Sequence, residues 1–255
     1  MENNLVRTGT LEHKNVVMAN ALTRSAQGLN LAEKRILFSA IAKMGNNFGK
    51  GEVYLYATEY AETFGLAPNQ AYEQLKENVR NMRTRYFTLA PQDRTEGNGV
   101  KRRGKRGMVW EINWFQKIGY HDGDGMIGLK FTDDVIPYLH DLEREFTKYK
   151  LKQACALRSV YSWRLLELFE QHTGNAGKGW WAVSVEDFCD SMEAPDAMRK
   201  NFGKLRSQII QPAIDELVKK DGWLIGFEAI KEGRKVVRLR LHPAHIFPCR
   251  GRYPA

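Results

Sequence analysis

Phe202-Gly203-Lys204-Leu205-Arg206-Ser207-Gln208-Ile209-Ile210-Gln211-Pro212-Ala213-Ile214-Asp215-Glu216-Leu217 reads as one amphipathic helix. Phe202, Leu205, Ile209, Ala213 and Leu217 recur at three- and four-residue steps, which stacks them on one side. Lys204, Ser207, Gln208 and Gln211 fall on the other side, joined by Lys200 if the helix begins that early, with almost no acid before Asp215. Lysine suits a phosphate oxygen, and glutamine can pair bidentately with the edge of an adenine. Arg206 falls near Phe202, toward the packed side. From there it can snorkel to a phosphate, pack its stem, or read a base only if the helix bends. Pro212 has no N–H for the carbonyl of Gln208, which predicts such a kink.

Two β-rich segments follow, Trp223 to Ile230 and Lys235 to Leu241, joined by Lys231-Glu232-Gly233-Arg234. A helix of this kind followed by a basic hairpin is the plan of a winged helix, whose helix enters the major groove while the hairpin lies along the backbone.

The remainder of the chain fits around that unit. Asn30 predicts a helix start, with Glu33 as its capping-box partner, and Gly45-Asn46-Asn47 a stop. Val16-Val17-Met18 is a short apolar patch that suits a strand or a docking segment. Val53 to Tyr56 is strand-like, Glu59 to Phe64 a short helix closed by Gly65, and Asn69 to Arg85 a long helix with Pro68 at its head. The long helix buries Tyr72, Leu75, Val79 and Met82 and turns Gln70, Gln74, Glu77 and Asn81 outward. Met108 to Phe115 and Met126 to Phe131 alternate as strands, with Asp122-Gly123-Asp124-Gly125 as a turn before the second. Thr132-Asp133-Asp134 predicts the cap of a helix running past Pro137 through Leu139, Leu142 and Phe146 to join two domains. Tyr161 to Phe169 is a buried helix, and Ser184 with Asp187 caps a short one.

The two halves echo each other. Tyr72, Leu75 and Val79 align with Phe202, Leu205 and Ile209 at a constant offset of 130 residues, and each half runs helix, strand, short helix, long helix, hairpin. The expected fold is therefore α+β, with two tandem winged-helix domains related by an internal repeat. Residues 1–150 would form the first, with an N-terminal arm and the connecting helix. Residues 151–255 would form the second, with a short tail.

Composition narrows the function. The chain has 255 residues, 43% of them hydrophobic, enough for real cores. Its formal net charge of +9 and pI of about 9.4 favour a polyanionic partner. Cys155, Cys189 and Cys249 stand far apart without metal-ligand spacing, so neither a zinc site, nor any cofactor, nor a disulfide framework is expected. Reduced thiols fit a cytoplasmic protein. No apolar run approaches the roughly 18 residues of a membrane span, and no signal-peptide core follows the polar start.

Four stretches, taken in order, resemble the plasmid replication initiators of the Rep_3 family, which bind iterons. They are Val16 to Leu22 with Leu29 to Leu37; Leu129-Lys130-Phe131 through Ile136-Pro137-Tyr138-Leu139 and Phe146 to Tyr149; Ser159 to Leu168; and Ile209-Ile210-Gln211-Pro212-Ala213-Ile214-Asp215-Glu216-Leu217. The resemblance implies that monomers bind double-stranded DNA at direct repeats of an origin through both winged helices. The neighbouring AT-rich duplex then opens, and the host initiator ATPase and replicative helicase are recruited. Homodimers, formed largely through the first domain, bind an operator and repress the protein's own gene.

On this chain the resemblance assigns base reading to Lys200, Lys204, Ser207 and Gln208, with Arg199 and Arg206 in support. Gln70, Gln74 and Asn81, with Arg80 and Arg83, would read or clamp the other part of the repeat. Lys231, Arg234, Lys235 and Arg238, and the cluster Lys101, Arg102, Arg103, Lys105 and Arg106, would hold phosphates.

The alternatives are a nicking enzyme and a tandem winged-helix transcriptional regulator with no replication role. The first needs a His-x-His metal pair, whereas His242-Pro243-Ala244-His245 has the wrong spacing, so no enzyme is expected. The second must also bind specific duplex DNA, and only the four motifs favour an initiator over it.

Overall fold

A computed structural model describes residues 9–45, 51–89, 108–140, 142, 144–173 and 179–245. The first half runs β1 (Asn15–Ala19), α1 (Asn20–Arg24), α2 (Leu31–Met44), β2 (Glu52–Tyr56), α3 (Ala57–Phe64), α4 (Pro68–Asn81), β3 (Tyr86–Leu89), β4 (Trp110–Asn113), β5 (Phe115–His121), β6 (Met126–Phe131), β7 (Phe146–Lys150) and α5 (Leu151–Cys155). The second runs α6 (Val160–Thr173), β8 (Trp181–Ser184), α7 (Val185–Ser191), α8 (Asp196–Arg199), α9 (Phe202–Leu205), α10 (Gln211–Asp221), β9 (Trp223–Glu232) and β10 (Lys235–His245).

Each half builds the same three-stranded antiparallel sheet. Its order is β2-β6-β5 in the first half and β8-β10-β9 in the second, so the last strand lies in the middle both times. Each first strand leads into a short helix and then a long one, and the hairpin returns alongside. These are two winged helices of one topology, as the internal repeat predicts. The register agrees with the buried alternation: Val53 and Leu55 face inward and pair with Leu129 and Ile127, and Trp181 and Val183 pair with Leu241 and Leu239.

Local signals set the helix ends. Asn30 Oδ1 accepts from the Glu33 N–H, and Glu33 returns a carboxylate oxygen to the Asn30 N–H, both at 2.9 Å. Gly65 closes α3 in the left-handed region, at φ 64°, where a side chain would be disfavoured. Ser184 Oγ accepts from the Asp187 N–H at 3.0 Å and starts α7.

Two expected elements differ. The connecting helix from Thr132 to Phe146 does not form. Pro137 sits in a single 3₁₀ turn, Ile136–Tyr138, and the chain then extends as β7. What wins is pairing over a distance of more than 120 residues: β7 lies antiparallel to β1, Val16 opposite Tyr149, and the buried Thr147 hydroxyl bonds Thr23 and Asn20 at 2.8 Å each. The strand expected over Met108 to Phe115 breaks at Trp114. That ring is fully buried against Phe87 (centroids 4.7 Å apart), and the break lets the chain leave β3 and continue as β5 beside β6.

One continuous apolar core runs through both halves. At its centre α2 meets α6. Phe38 packs on Trp163 with ring centroids 5.6 Å apart, and beside them lies an ion pair with no exposure on either side, Lys34 Nζ to Glu167 at 2.9 Å. Lys34 also donates to Gln27 Oε1 at 2.9 Å and lies 4.6 Å above the Phe38 ring. Glu167 accepts from the Tyr149 hydroxyl at 3.1 Å, which in turn accepts from Trp163 Nε1 at 2.9 Å. Burial dominates the titration of Lys34, pulling its pKa from 10.5 down to about 8 against the attraction of Glu167.

Lys34→Met should destabilise the protein by about 2–4 kcal/mol in urea unfolding, because it leaves the buried Glu167 carboxylate with Arg164, 3.6 Å away, as its remaining cation, and Lys34→Met with Glu167→Gln should recover only part of that, since Arg164 then loses this carboxylate. Between about pH 8 and 10.5 the folded protein binds fewer protons at Lys34 than the unfolded chain does. Stability from this group therefore rises with pH across that window, and the wild-type advantage over the double variant should grow between about pH 7.5 and 9.5.

Candidate nucleic-acid interface

The second long helix is not one regular helix. It starts at α9, where Asn201 Oδ1 accepts from the Lys204 N–H at 3.1 Å, passes through a π turn over Arg206–Ile210, and ends as α10. The Gln211 N–H reaches back five residues to the Arg206 carbonyl, and Pro212 follows directly. The predicted kink is thus a wide turn. Proline supplies no N–H, and the extra residue taken into the turn relieves the helix at that point.

This turn settles the course of Arg206. Leu205, Ile209, Ile210, Ala213, Ile214 and Leu217 are buried, while Lys204, Arg206, Ser207, Gln208 and Gln211 are exposed. The Arg206 guanidinium lies 5.8 Å from the Phe227 ring centre on β9, within cation–π range. Lys200 is exposed just ahead of α9. On the wing Lys231, Arg234, Lys235 and Arg238 are all exposed. A groove separates the two, walled by Lys200 and Phe202 on the helix side and by Lys231, Arg234 and Lys235 on the wing side. None of Lys200, Lys204, Arg206, Lys231, Arg234, Lys235 and Arg238 forms an ion pair among the described residues, whereas Arg240, farther down β10, is paired with Glu228 at 3.3 Å. Cations outnumber acids around the groove, where Glu186 is the acid in the lining, and an excess of unpaired cations is the electrostatic condition for holding a polyanion.

Arg199 lines the same groove and is held by bonds within the protein. Its Nε donates to the Ala194 carbonyl at 2.7 Å and one terminal nitrogen to the Cys189 carbonyl at 3.2 Å, while the other pairs with Asp190. It ties the end of α7 to α8 and so aims the helix that follows.

The first winged helix presents a more mixed face. Gln70, Arg80, Asn81 and Arg83 are exposed on α4 and the 3₁₀ turn after it, with Glu73 and Glu77 exposed between them. Gln74 turns inward, its Oε1 accepting from the buried Tyr60 hydroxyl at 2.9 Å. Sequence reading passed over a brace between α4 and β5. Tyr72 and Lys76 both bond Asp122, the latter at 2.7 Å. Arg80 donates to the Tyr120 hydroxyl at 3.1 Å and lies 5.0 Å from its ring centre. The Lys76 and Tyr72 hydrogen bonds hold the Asp122 carboxyl below its usual range and, reciprocally, the bond to Asp122 pushes Tyr72 up to about 12. The alternation of α4 and β5 residues gave no signal for this brace, which depends on the hairpin's return. Lys101, Arg102, Arg103, Lys105 and Arg106 lie outside the described residues.

His242 and His245 fall within β10, and no group of three or more His, Cys, Asp or Glu side chains placed to hold a metal occurs among the described residues. No helix there is long and apolar enough to cross a membrane.

Comparison with known proteins bears on this geometry. Residues 15–170 match the family described as initiator replication protein, WH1, and residues 184–243 match initiator Rep protein, WH2. The first match runs through most of α6, beyond the boundary at residue 150 expected from the sequence. The PI protein of Escherichia coli is 26% identical over 242 residues, covering 87% of this chain and 79% of that protein. An uncharacterized 27.6 kDa protein of Escherichia coli is 22% identical over 231 residues, covering 86% of this chain and 91% of its own length. Among solved structures, the Pi initiator protein in complex with iteron DNA shares the fold with a TM-score of 0.77 at 24% identity, over 92% of this chain and 98% of that one.

Arg199→Ala removes the donor from two backbone carbonyls and from Asp190. It should lower stability by about 1–3 kcal/mol in thermal or urea unfolding, with Arg199→Lys intermediate, since an ammonium cannot reach all three acceptors at once.

Proposed function

The chain belongs to the Rep3 family of initiator replication proteins, and from that premise we propose that it starts plasmid replication by binding iteron repeats at the origin with both of its winged helices. The observation that carries this reading is the second winged helix. Lys200, Lys204, Arg206, Ser207 and Gln208 stand exposed at the start of the second long helix, Lys200 lines a groove shared with Lys231, Arg234 and Lys235 of the wing tip, and none of these cations is in an ion pair among the described residues.

In this mechanism the front of α9 and the π turn enter the major groove. Gln208 and Ser207 meet base edges, Lys204 and Arg206 reach guanine or phosphate oxygens, and Lys231, Arg234, Lys235 and Arg238 clamp the flanking backbone. Gln70, Asn81, Arg80 and Arg83 engage the other part of the repeat. Binding strains the adjoining AT-rich duplex toward opening, and the assembled protein recruits the host initiator ATPase and replicative helicase. A homodimer occupies an operator and represses the protein's own gene. The relative solved with iteron DNA supports the choice of duplex repeats as the target.

Selection from a random duplex library at two salt concentrations tests the reading. The expected product is one site of about two helical turns bound by a monomer. A palindrome bound only by dimers would instead identify a plain transcriptional regulator, and salt-sensitive binding without any enriched sequence would remove the initiator reading. On the selected site Lys204→Ala and Gln208→Ala should each cost about 1–3 kcal/mol and relax preference locally. Arg234→Ala with Lys235→Ala should weaken all duplexes alike and lower the salt slope by about 1 per lost phosphate contact.

A further inference from the structure

The turn between α7 and α8, immediately ahead of the second recognition helix, is fastened to the arm between α1 and α2 by the Glu193 carboxylate, with the Arg164 guanidinium as a second bridge. Glu193 accepts from the backbone N–H of Gln27 at 3.0 Å and from that of Gly28 at 2.7 Å, both on the arm between α1 and α2. Glu193 holds this position with φ at 52°, a left-handed conformation rare for a residue with a Cβ. The clip is not isolated. Arg164 of α6 lies 3.8 Å from the same carboxylate and donates to the Ser191 carbonyl at 3.0 Å on one side and to the Ser25 carbonyl at 2.8 Å on the other. On the arm, the buried Gln27 amide leads on to Lys34 at 2.9 Å. On the other side, the residue after Glu193 is Ala194, whose carbonyl takes the Nε of Arg199 at 2.7 Å. A continuous polar path therefore runs from the first domain's arm through Glu193 to the base of the second recognition helix.

We propose that Glu193 is a positioning residue that sets the number of base pairs allowed between the two parts of the bound repeat. The inference rests on the reading that both winged helices engage one site. Each base pair inserted between two contact points shifts one by about 3.4 Å along the duplex and turns it by about 34° around it, so two recognition surfaces held rigidly tolerate a single spacing. The shared core holds the two halves together, and a carboxylate holding two N–H groups of the other half stiffens the link at the turn that leads into the second recognition helix. Nothing in the contacts of Glu193 places it on DNA.

The test uses full-length protein and a set of duplexes that carry the selected site with none, one, two or three base pairs inserted between its halves. It also includes duplexes with either half scrambled. Wild type should lose about tenfold or more in affinity for the first insertion, whereas Glu193→Gly should lose about threefold or less, with its preference within each half unchanged. Glycine takes the φ of 52° without strain, which offsets part of the stability lost with the carboxylate's hydrogen bonds, and a thermal melt confirms that the variant is folded under the binding conditions. Glu193→Gln, which keeps one acceptor oxygen, should lie between the two. A Glu193→Gly spacing profile equal to that of wild type, with both halves still required, would overturn the role of Glu193 and leave the two-surface reading standing. Wild-type binding indifferent to scrambling one half would overturn the two-surface reading itself.

Discussion

A lysine and a glutamate with no solvent exposure, Lys34 and Glu167, meet where α2 crosses α6. Taking both charges out of water costs several kcal/mol each, and their attraction repays it only when every remaining donor and acceptor is satisfied. Here Gln27, Tyr149 and the face of Phe38 supply that satisfaction. The geometry demands that the arm before α2, strand β7 and α6 all be in place together. An apolar contact would have held the two helices with many small errors of rotation, whereas this pair accepts one. The shared core is for that reason the frame from which both winged helices project.

From that frame the same topology delivers two different surfaces. Each sheet has its last strand in the centre and its hairpin against the long helix. In the first half the helix and hairpin are laced together by Tyr72, Lys76 and Asp122 and by Arg80 on Tyr120, with acids exposed between the cations. In the second half Arg206 makes a cation–π contact with Phe227, and among the described residues Lys231, Arg234, Lys235 and Arg238 of the wing stay out of ion pairs while Arg240 pairs with Glu228. Laced charges are partly neutralised and held still, whereas unpaired ones raise the local potential and reorient to meet phosphates. Among the described residues, the second winged helix is the one whose helix and hairpin-tip cations stay free of ion pairs.

What was legible in the sequence was what is decided locally. The capping box of Asn30 and Glu33, the Gly65 stop, the Ser184 cap and both hairpins depend on residues within a few positions of each other. The repeat was legible because two long helices must bury the same stripe. The connecting region was misread because β7 is decided by β1, far away in the chain, and an apolar run around Pro137 carries no mark of such a partner. Among the site residues, Lys200, Lys204, Ser207 and Gln208 were legible from helical phase alone. Arg199 and Gln74 were not, since their partners, Ala194, Cys189 and Asp190 for one and Tyr60 for the other, are fixed by packing.

The course of Arg206 shows how packing decides a surface. At 100° per residue, Phe202, Leu205 and Ile209 define one buried direction, and Ile210, Ala213, Ile214 and Leu217 define another about one residue farther round. A straight α-helix would spread these seven residues over about half its circumference, wider than one packed face. All seven residues are buried or packed against the core, and the π turn at Arg206–Ile210 makes this possible by taking in the one residue that separates the two phases. Pro212 places that turn, because a regular helix would need the N–H it lacks. On the outer side the same wide turn leaves Arg206, Ser207 and Gln208 all exposed in succession. The order of side chains offered to a ligand is thus fixed by how the opposite side of the helix fills the core, before any ligand arrives.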